Sequence, residues 1–162
     1  MAFVVTQVLG DVGNPDAVRL DFWNVNRTVR PADALFSTDT MLVQSLLVAY
    51  FNAPVGPRRP DLKSMAMHLL SGWAARGKRF DDGYYGEVTR EVLRLFEEDQ
   101  IVDQTGFVSP IDDSDFSSTP RKLMRLNRVF DLSLVGTGTL GTSKQEVGRR
   151  MLRPELYKEL YP

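Results

Sequence analysis

Residues 82–96 read Asp82-Gly83-Tyr84-Tyr85-Gly86-Glu87-Val88-Thr89-Arg90-Glu91-Val92-Leu93-Arg94-Leu95-Phe96. An Asp-Gly pair suits a tight turn, because the Asp carboxylate bonds to nearby amides and Gly accepts positive φ without steric cost. Gly86 repeats that permission three residues later. Beyond it Val88, Val92, Leu95 and Phe96 recur at helical spacing and form one apolar stripe. The stretch is therefore a turn with two aromatics between two glycines, feeding a helix over about 87–100. It offers no catalytic chemistry.

Working outward, Ser37-Thr38-Asp39-Thr40 supplies several N-cap candidates for a helix through Met41–Phe51, stopped before Asn52-Ala53-Pro54. Most of its positions are apolar, which predicts burial on more than one side. Pro54 to Pro60 makes a stiff loop. A second helix is predicted over about 60–76, with Leu62, Met65, Ala66, Leu69, Leu70 and Trp73 as one core stripe and Gly77 as its C-terminal cap. A third spans about 87–100, where Arg94 and Glu98 are spaced to pair. Thr119-Pro120 opens a fourth, to about Asp131, with Leu123, Leu126 and Phe130 buried. Ser143-Lys144-Gln145-Glu146 matches a capping box for a last helix, which Pro154 breaks. At the other end, residues 2–9 and 18–22 fit two short strands joined by a turn, or an extended arm in contact with a partner; 24–33 reads as loop.

The order of residues 82–96 resembles the helical peptidoglycan-binding domain family, whose pattern is Asp-Gly, two residues, Gly, two residues, Thr and a helix. Asp82, Gly83, Gly86, Thr89 and Phe96 fall on it, and Val43-Gln44-Ser45-Leu46-Leu47 looks like the family's first helix. Asp103-Gln104-Thr105-Gly106-Phe107-Val108-Ser109-Pro110 looks like its second, looser turn, with the Gly displaced. Glu87 stands where the family prefers Pro, and Glu97 where it prefers Gln. The resemblance covers about residues 37–110. It implies a compact three-helix core over 37–118; with the elements read above, the whole is a mainly α fold with an N-terminal β hairpin or extended arm over 1–36 and a helical extension over 119–162.

Composition narrows the chemistry. The 162 residues include 43% hydrophobic and 25% charged side chains, ordinary for a globular protein. A formal charge of −1 predicts no general affinity for nucleic acid or anionic membrane. With no cysteine, disulfides, thiolate nucleophiles and cysteine-ligated metals are excluded. The single histidine, His68, lies off the Leu62–Trp73 stripe and is read as a surface residue. Gly136-x-Gly138-x-x-Gly141 matches a dinucleotide-binding pattern, but only 21 residues follow it, too few for the required second strand, so it reads as a linker. Asp112, Asp113 and Asp115 lack the spacing of a calcium loop and read as solvated. Residues 1–9 have no basic start and are not read as a secretory signal, and no stretch approaches the roughly 18 apolar residues of a membrane helix.

These observations predict a non-enzymatic protein with no cofactor and no metal site. The ligand-binding candidates are Tyr84 and Tyr85, one packed inward and one presenting a ring beside Trp73 or Tyr50, with Asp103 and Phe107 on the second turn. The partner-binding candidates are Arg121, Lys122, Arg125 and Arg128, a basic face suited to an acidic protein surface, set against the plainer reading of a solvated helix face. Two functions follow. One is a structural part of a phage tail or phage-tail-like injection particle, built from protein partners, made in the cytoplasm and incorporated into a virion or particle. The other is a peptidoglycan-binding module that targets a partner activity to the wall. Long arms at both ends and the absent export signal favour the first.

Overall fold

The computed structural model of the chain describes residues 1–9, 18–31, 36–54, 56–111, 122–136 and 144–162. It is mainly helical. Strands β1 (Ala2–Leu9) and β2 (Val18–Val25) pair antiparallel in direct register, Ala2 opposite Val25 and Val4 opposite Trp23. The described helices are α1 (Thr38–Asn52), α2 (Pro60–Ala74), α3 (Glu87–Gln100), α4 (Lys122–Gly136), α5 (Lys144–Met151) and α6 (Pro154–Leu160).

Helix α1 is the axis of the molecule. Ser37 caps it, its hydroxyl accepting from the Asp39 amide at 3.2 Å, and Met41, Leu42, Val43, Leu46, Leu47, Tyr50 and Phe51 are all buried. A helix apolar on all sides needs neighbours on all sides. Here α2, α3, α4, α6 and both strands pack on it. Tyr50 meets Phe51 and Phe96 edge-on at 5.0 and 4.9 Å between ring centres, an arrangement the ring quadrupoles favour.

Helix α3 follows expectation, with Val92, Leu93, Leu95 and Phe96 fully buried and Val88 half-buried. Arg94 pairs with Glu98 at 2.9 Å, and with Glu91 at 2.7 Å besides. Helix α2 does not follow it. Of its predicted stripe only Leu62 and Ala66 are buried; Leu69, Leu70 and Trp73 are half-buried and Met65 is exposed. The helix lies at the margin of the bundle, and its spacing reports an apolar face that only part of the molecule covers.

The arms share the core. Strand β2 runs to Val25, past the predicted end, because Asn24 and Val25 are held there: the Asn24 side chain donates to the Ile111 carbonyl at 3.0 Å and accepts from the Ile111 amide at 2.7 Å. Asn127 on α4 does the same to Trp23, accepting from its amide and donating to its carbonyl, both at 2.9 Å. Each asparagine presents a donor and an acceptor to backbone that has no strand neighbour on that side. Trp23 is fully buried, packs on Phe130 at 4.8 Å and donates its indole N–H to the Tyr161 hydroxyl at 2.9 Å. Lys144 Nζ reaches the Asp21 carbonyl, Asn127 Oδ1 and Asp131 Oδ1 at 3.0, 2.9 and 3.1 Å, over the Trp23 ring. Burial pushes its pKa down, against the pull of the Asp131 carboxylate.

Helix α4 extends to Gly136, five residues beyond the predicted end, so the first glycine of the 136–141 run closes a helix; the rest of that run, Ser143 and the acidic loop 112–115 lie outside the described residues. The break at Pro154 falls as predicted, between α5 and α6.

Candidate functional site

The Asp82–Gly83 turn is built from the inside. Gln44, 1% exposed on α1, sends its side chain into the turn. Its Nε2 donates to Asp82 Oδ1, the Tyr84 carbonyl and Thr89 Oγ1 at 3.1, 3.0 and 2.9 Å, and its Oε1 accepts from the Gly83 amide at 2.9 Å. Asp82 Oδ1 also accepts from the Tyr84 amide at 3.0 Å, and the Gly83 carbonyl accepts from the Ser37 amide at 2.9 Å. One glutamine therefore ties α1 to the turn and to the first turn of α3. Gly83 has φ +81°, and a Cβ there would stand 2.7 Å from the Phe36 ring. Gly86 has φ −100° and is the extended N-cap of α3, so the turn uses only one of the two freedoms.

This geometry sends the tyrosines opposite ways. Tyr84 is 52% exposed, edge-on to exposed Phe36 at 5.8 Å. Tyr85 is 7% exposed and donates to the Gly106 carbonyl at 2.7 Å; burial, with the Glu97 carboxylate adding, pushes its hydroxyl up to about 12. Tyr84 borders a cleft of about 110 Å³ whose other lining residues include Trp73, Phe80, Val88, Gln44, Asp82 and Thr89. Trp73 is half-buried, with the Arg76 guanidinium and Lys78 ammonium each 5.2 Å from its ring centre. Tyr50, the alternative neighbour for an exposed tyrosine, is instead core. Its hydroxyl donates to Asp99, and burial together with that carboxylate raises its pKa.

The second turn is organised by a buried ion pair. Glu97, 1% exposed, pairs with Lys122 and accepts from the Gly106 amide at 3.0 Å. Lys122 Nζ also donates to Thr105 Oγ1 and the Phe107 carbonyl at 2.6 and 2.9 Å. Gly106 takes φ +69°, the freedom its place in the turn requires. Asp103 and Phe107 are both exposed, Phe107 at 45%. Tyr85 joins the two turns from beneath, whereas the surface cleft at Tyr84 is lined by neither Asp103 nor Phe107.

Lys122 is thus a correction to the proposed basic face: it is buried and spent on Glu97. Arg125 is half-buried and donates to the Gln100 carbonyl at 3.4 Å; Arg128 is exposed; Arg121 lies outside the described residues. His68 is exposed, as expected. Among the described residues no group of three or more His, Asp or Glu is placed to hold a metal, and no helix is long and apolar enough to cross a membrane.

Reading the sequence missed the polar residues that organise the site. Gln44 in an apolar run, and Glu97 and Asp99 on a helix otherwise read for its stripe, were signals: a polar side chain at a core position needs a built partner. Asp99 is the clearest case. It accepts from the Arg58 amide at 3.0 Å, the Arg59 amide at 2.8 Å and the Tyr50 hydroxyl, fastening the proline-rich loop to α3. Comparison with family models, curated proteins and solved structures gives no match.

Proposed function

We propose that this chain is a non-catalytic assembly protein, a structural part of a phage-tail-like or injection-type particle, built around a peptidoglycan-binding-like helical unit. The observation that carries this reading is the outer edge of β1. Trp23 turns its amide and carbonyl away from β1 to meet Asn127, so in an antiparallel ladder Val4 opposite it turns its own away from β2. Thr6, two residues on, does likewise. Among the described residues nothing bonds to these backbone groups. Residues 2–9 contain no charged residue and no proline, the usual protections of an edge strand, and exposed Met1 and Phe3 flank it. Such an edge suits strand addition by a neighbouring subunit.

Size-exclusion chromatography with light scattering over a concentration series tests this. Self-association above the 18.3 kDa chain mass, lost in Thr6→Lys and Val4→Pro, is the expected result. A chain that stays monomeric at every concentration, and captures no partner subunit through this edge, contradicts it.

A second reading, a wall-binding module, is supported by Tyr84 and Trp73 lining one largely apolar cleft. Aromatic faces of that kind cover the apolar face of a sugar ring. Co-sedimentation with purified peptidoglycan sacculi, abolished by Tyr84→Ala, is its expected result; absence of sedimentation removes it.

A further inference from the structure

The outer edge of β1 is not equally open along its length. Ala2, at the base of the hairpin where α6 packs on the strand, is 0% exposed, whereas Val4 is half-buried and Thr6 exposed. The Met1 carbonyl accepts from the Asn26 amide, so the odd-numbered residues of β1 turn their backbone groups toward β2 and the even-numbered ones turn theirs outward. With Ala2 covered, the groups a partner strand can meet belong to Val4, Thr6 and Val8, toward the tip of the hairpin.

We propose that the occupant of this edge is the β1 strand of a second copy, antiparallel and centred on Thr6. The proposal rests on the strand-addition reading above and names its partner and register. Two antiparallel copies of one strand are related by a two-fold axis, so a register is fixed by the residue on that axis. Centring on Val4 or Val5 calls on buried Ala2, and centring on Gln7 leaves Val4 unpaired. Centring on Thr6 joins Val4 to Val8 and Thr6 to its own copy, which pairs every accessible outward residue. The same register matches residue types: Phe3 stands opposite Leu9, Val4 opposite Val8 and threonine opposite threonine, the like pairs that favour cross-strand packing. Centring on Val5 sets Phe3 opposite Gln7 and Val4 opposite Thr6 instead. Residues 2–9 carry no charge, so nothing on the edge repels a second copy. The two-fold also closes the edge, since each copy covers the other's β1. On the far side of each hairpin Asn127 already holds the Trp23 backbone. The building unit is therefore a closed dimer, and growth of a particle beyond it uses other surfaces.

The chain has no cysteine, so introduced ones report position cleanly. Under mild oxidation Thr6→Cys should form a disulfide-linked dimer, because its own copy lies about 5.5 Å away between Cα atoms, within disulfide reach. Val5→Cys alone should cross-link about a tenth as much, its own copy lying on the diagonal about 7–8 Å away. An equal mixture of Val5→Cys and Gln7→Cys chains should cross-link to each other. Adding Val4→Pro should abolish all of these links, and light scattering should show association that stops at twice the chain mass. Val5→Cys linking to itself in preference to Thr6→Cys, or association through this edge that runs past the dimer, would overturn the proposal. So would a chain that takes up a different subunit along β1 without pairing with itself, a result that leaves the strand-addition reading standing. An edge that binds nothing overturns both.

Discussion

Gly83 and Gly86 look alike in the sequence, three residues apart, yet only one of them needs to be glycine. At Gly83 the backbone is left-handed and the space for a Cβ is taken by Phe36. At Gly86 φ is −100° and nothing lies within 4 Å of a Cβ position. Gly83→Ala should therefore cost about 1–2 kcal/mol in urea unfolding, since Phe36 can swing aside but the dihedral strain stays. Gly86→Ala should change stability by less than about 0.5 kcal/mol. Equal losses at both would contradict the turn described. Ile101 shows the opposite mismatch, a β-branched residue at φ 53° as the C-cap of α3, with its side chain 85% exposed. Ile101→Gly should raise the midpoint of thermal unfolding, by an amount corresponding to about 0.5–1 kcal/mol, because relief of the left-handed strain exceeds the added chain entropy. Residue type announced a turn at 82–83, but the crowding at Gly83 comes from Phe36, 47 positions earlier in the chain, and no local pattern encodes that.

At the scale of elements, apolar runs and periodicity located α1, α3 and the strands, and the proline itself marked the break at 154, because each is a local property of the sequence. It misjudged α2, whose stripe is real but only partly covered. It also misjudged Lys122, because spacing shows that Arg121, Lys122, Arg125 and Arg128 cluster on a helix without showing that Glu97 waits opposite one of them. That pair joins α3, the 103–107 turn and α4. Lys122→Met should destabilise by about 3–5 kcal/mol, since it leaves a buried carboxylate unpaired. Adding Glu97→Leu should restore much of the loss, and a double-mutant cycle by denaturant titration measures the coupling. Asp99 fastens the 54–60 loop to the end of α3. Burial pushes its carboxyl up, but the Tyr50 hydroxyl and the Arg58 and Arg59 amides outweigh this and hold it below the usual carboxylate range. A pKa depressed in the folded state means stability that is fully present above the unfolded value of about 3.9 and lost as pH falls through the folded one. Asp99→Asn should lower stability at neutral pH and flatten its decline below about pH 4.

Across the whole molecule, one buried cluster takes in Ala2 and Trp23 from the hairpin, the α1–α3 bundle, and Leu156 and Leu160 from the last helix. The division into arm, core and extension read from the sequence pattern is a division of sequence, while packing unites the three. Asn24 and Asn127 do much of that work, and isolated asparagines carry no periodic signal by which to find them. What unites the bundle itself is Gln44, with four hydrogen bonds that hold the 82–84 turn and Thr89 against α1. The most direct measurement is urea unfolding of Gln44→Ala followed by far-ultraviolet circular dichroism and by tryptophan fluorescence, which reports on Trp23 and Trp73. The expected result is a stability loss of about 2–4 kcal/mol, with both signals changing together in a single transition. A loss below about 0.5 kcal/mol, or a hairpin that melts apart from the helices, would contradict it.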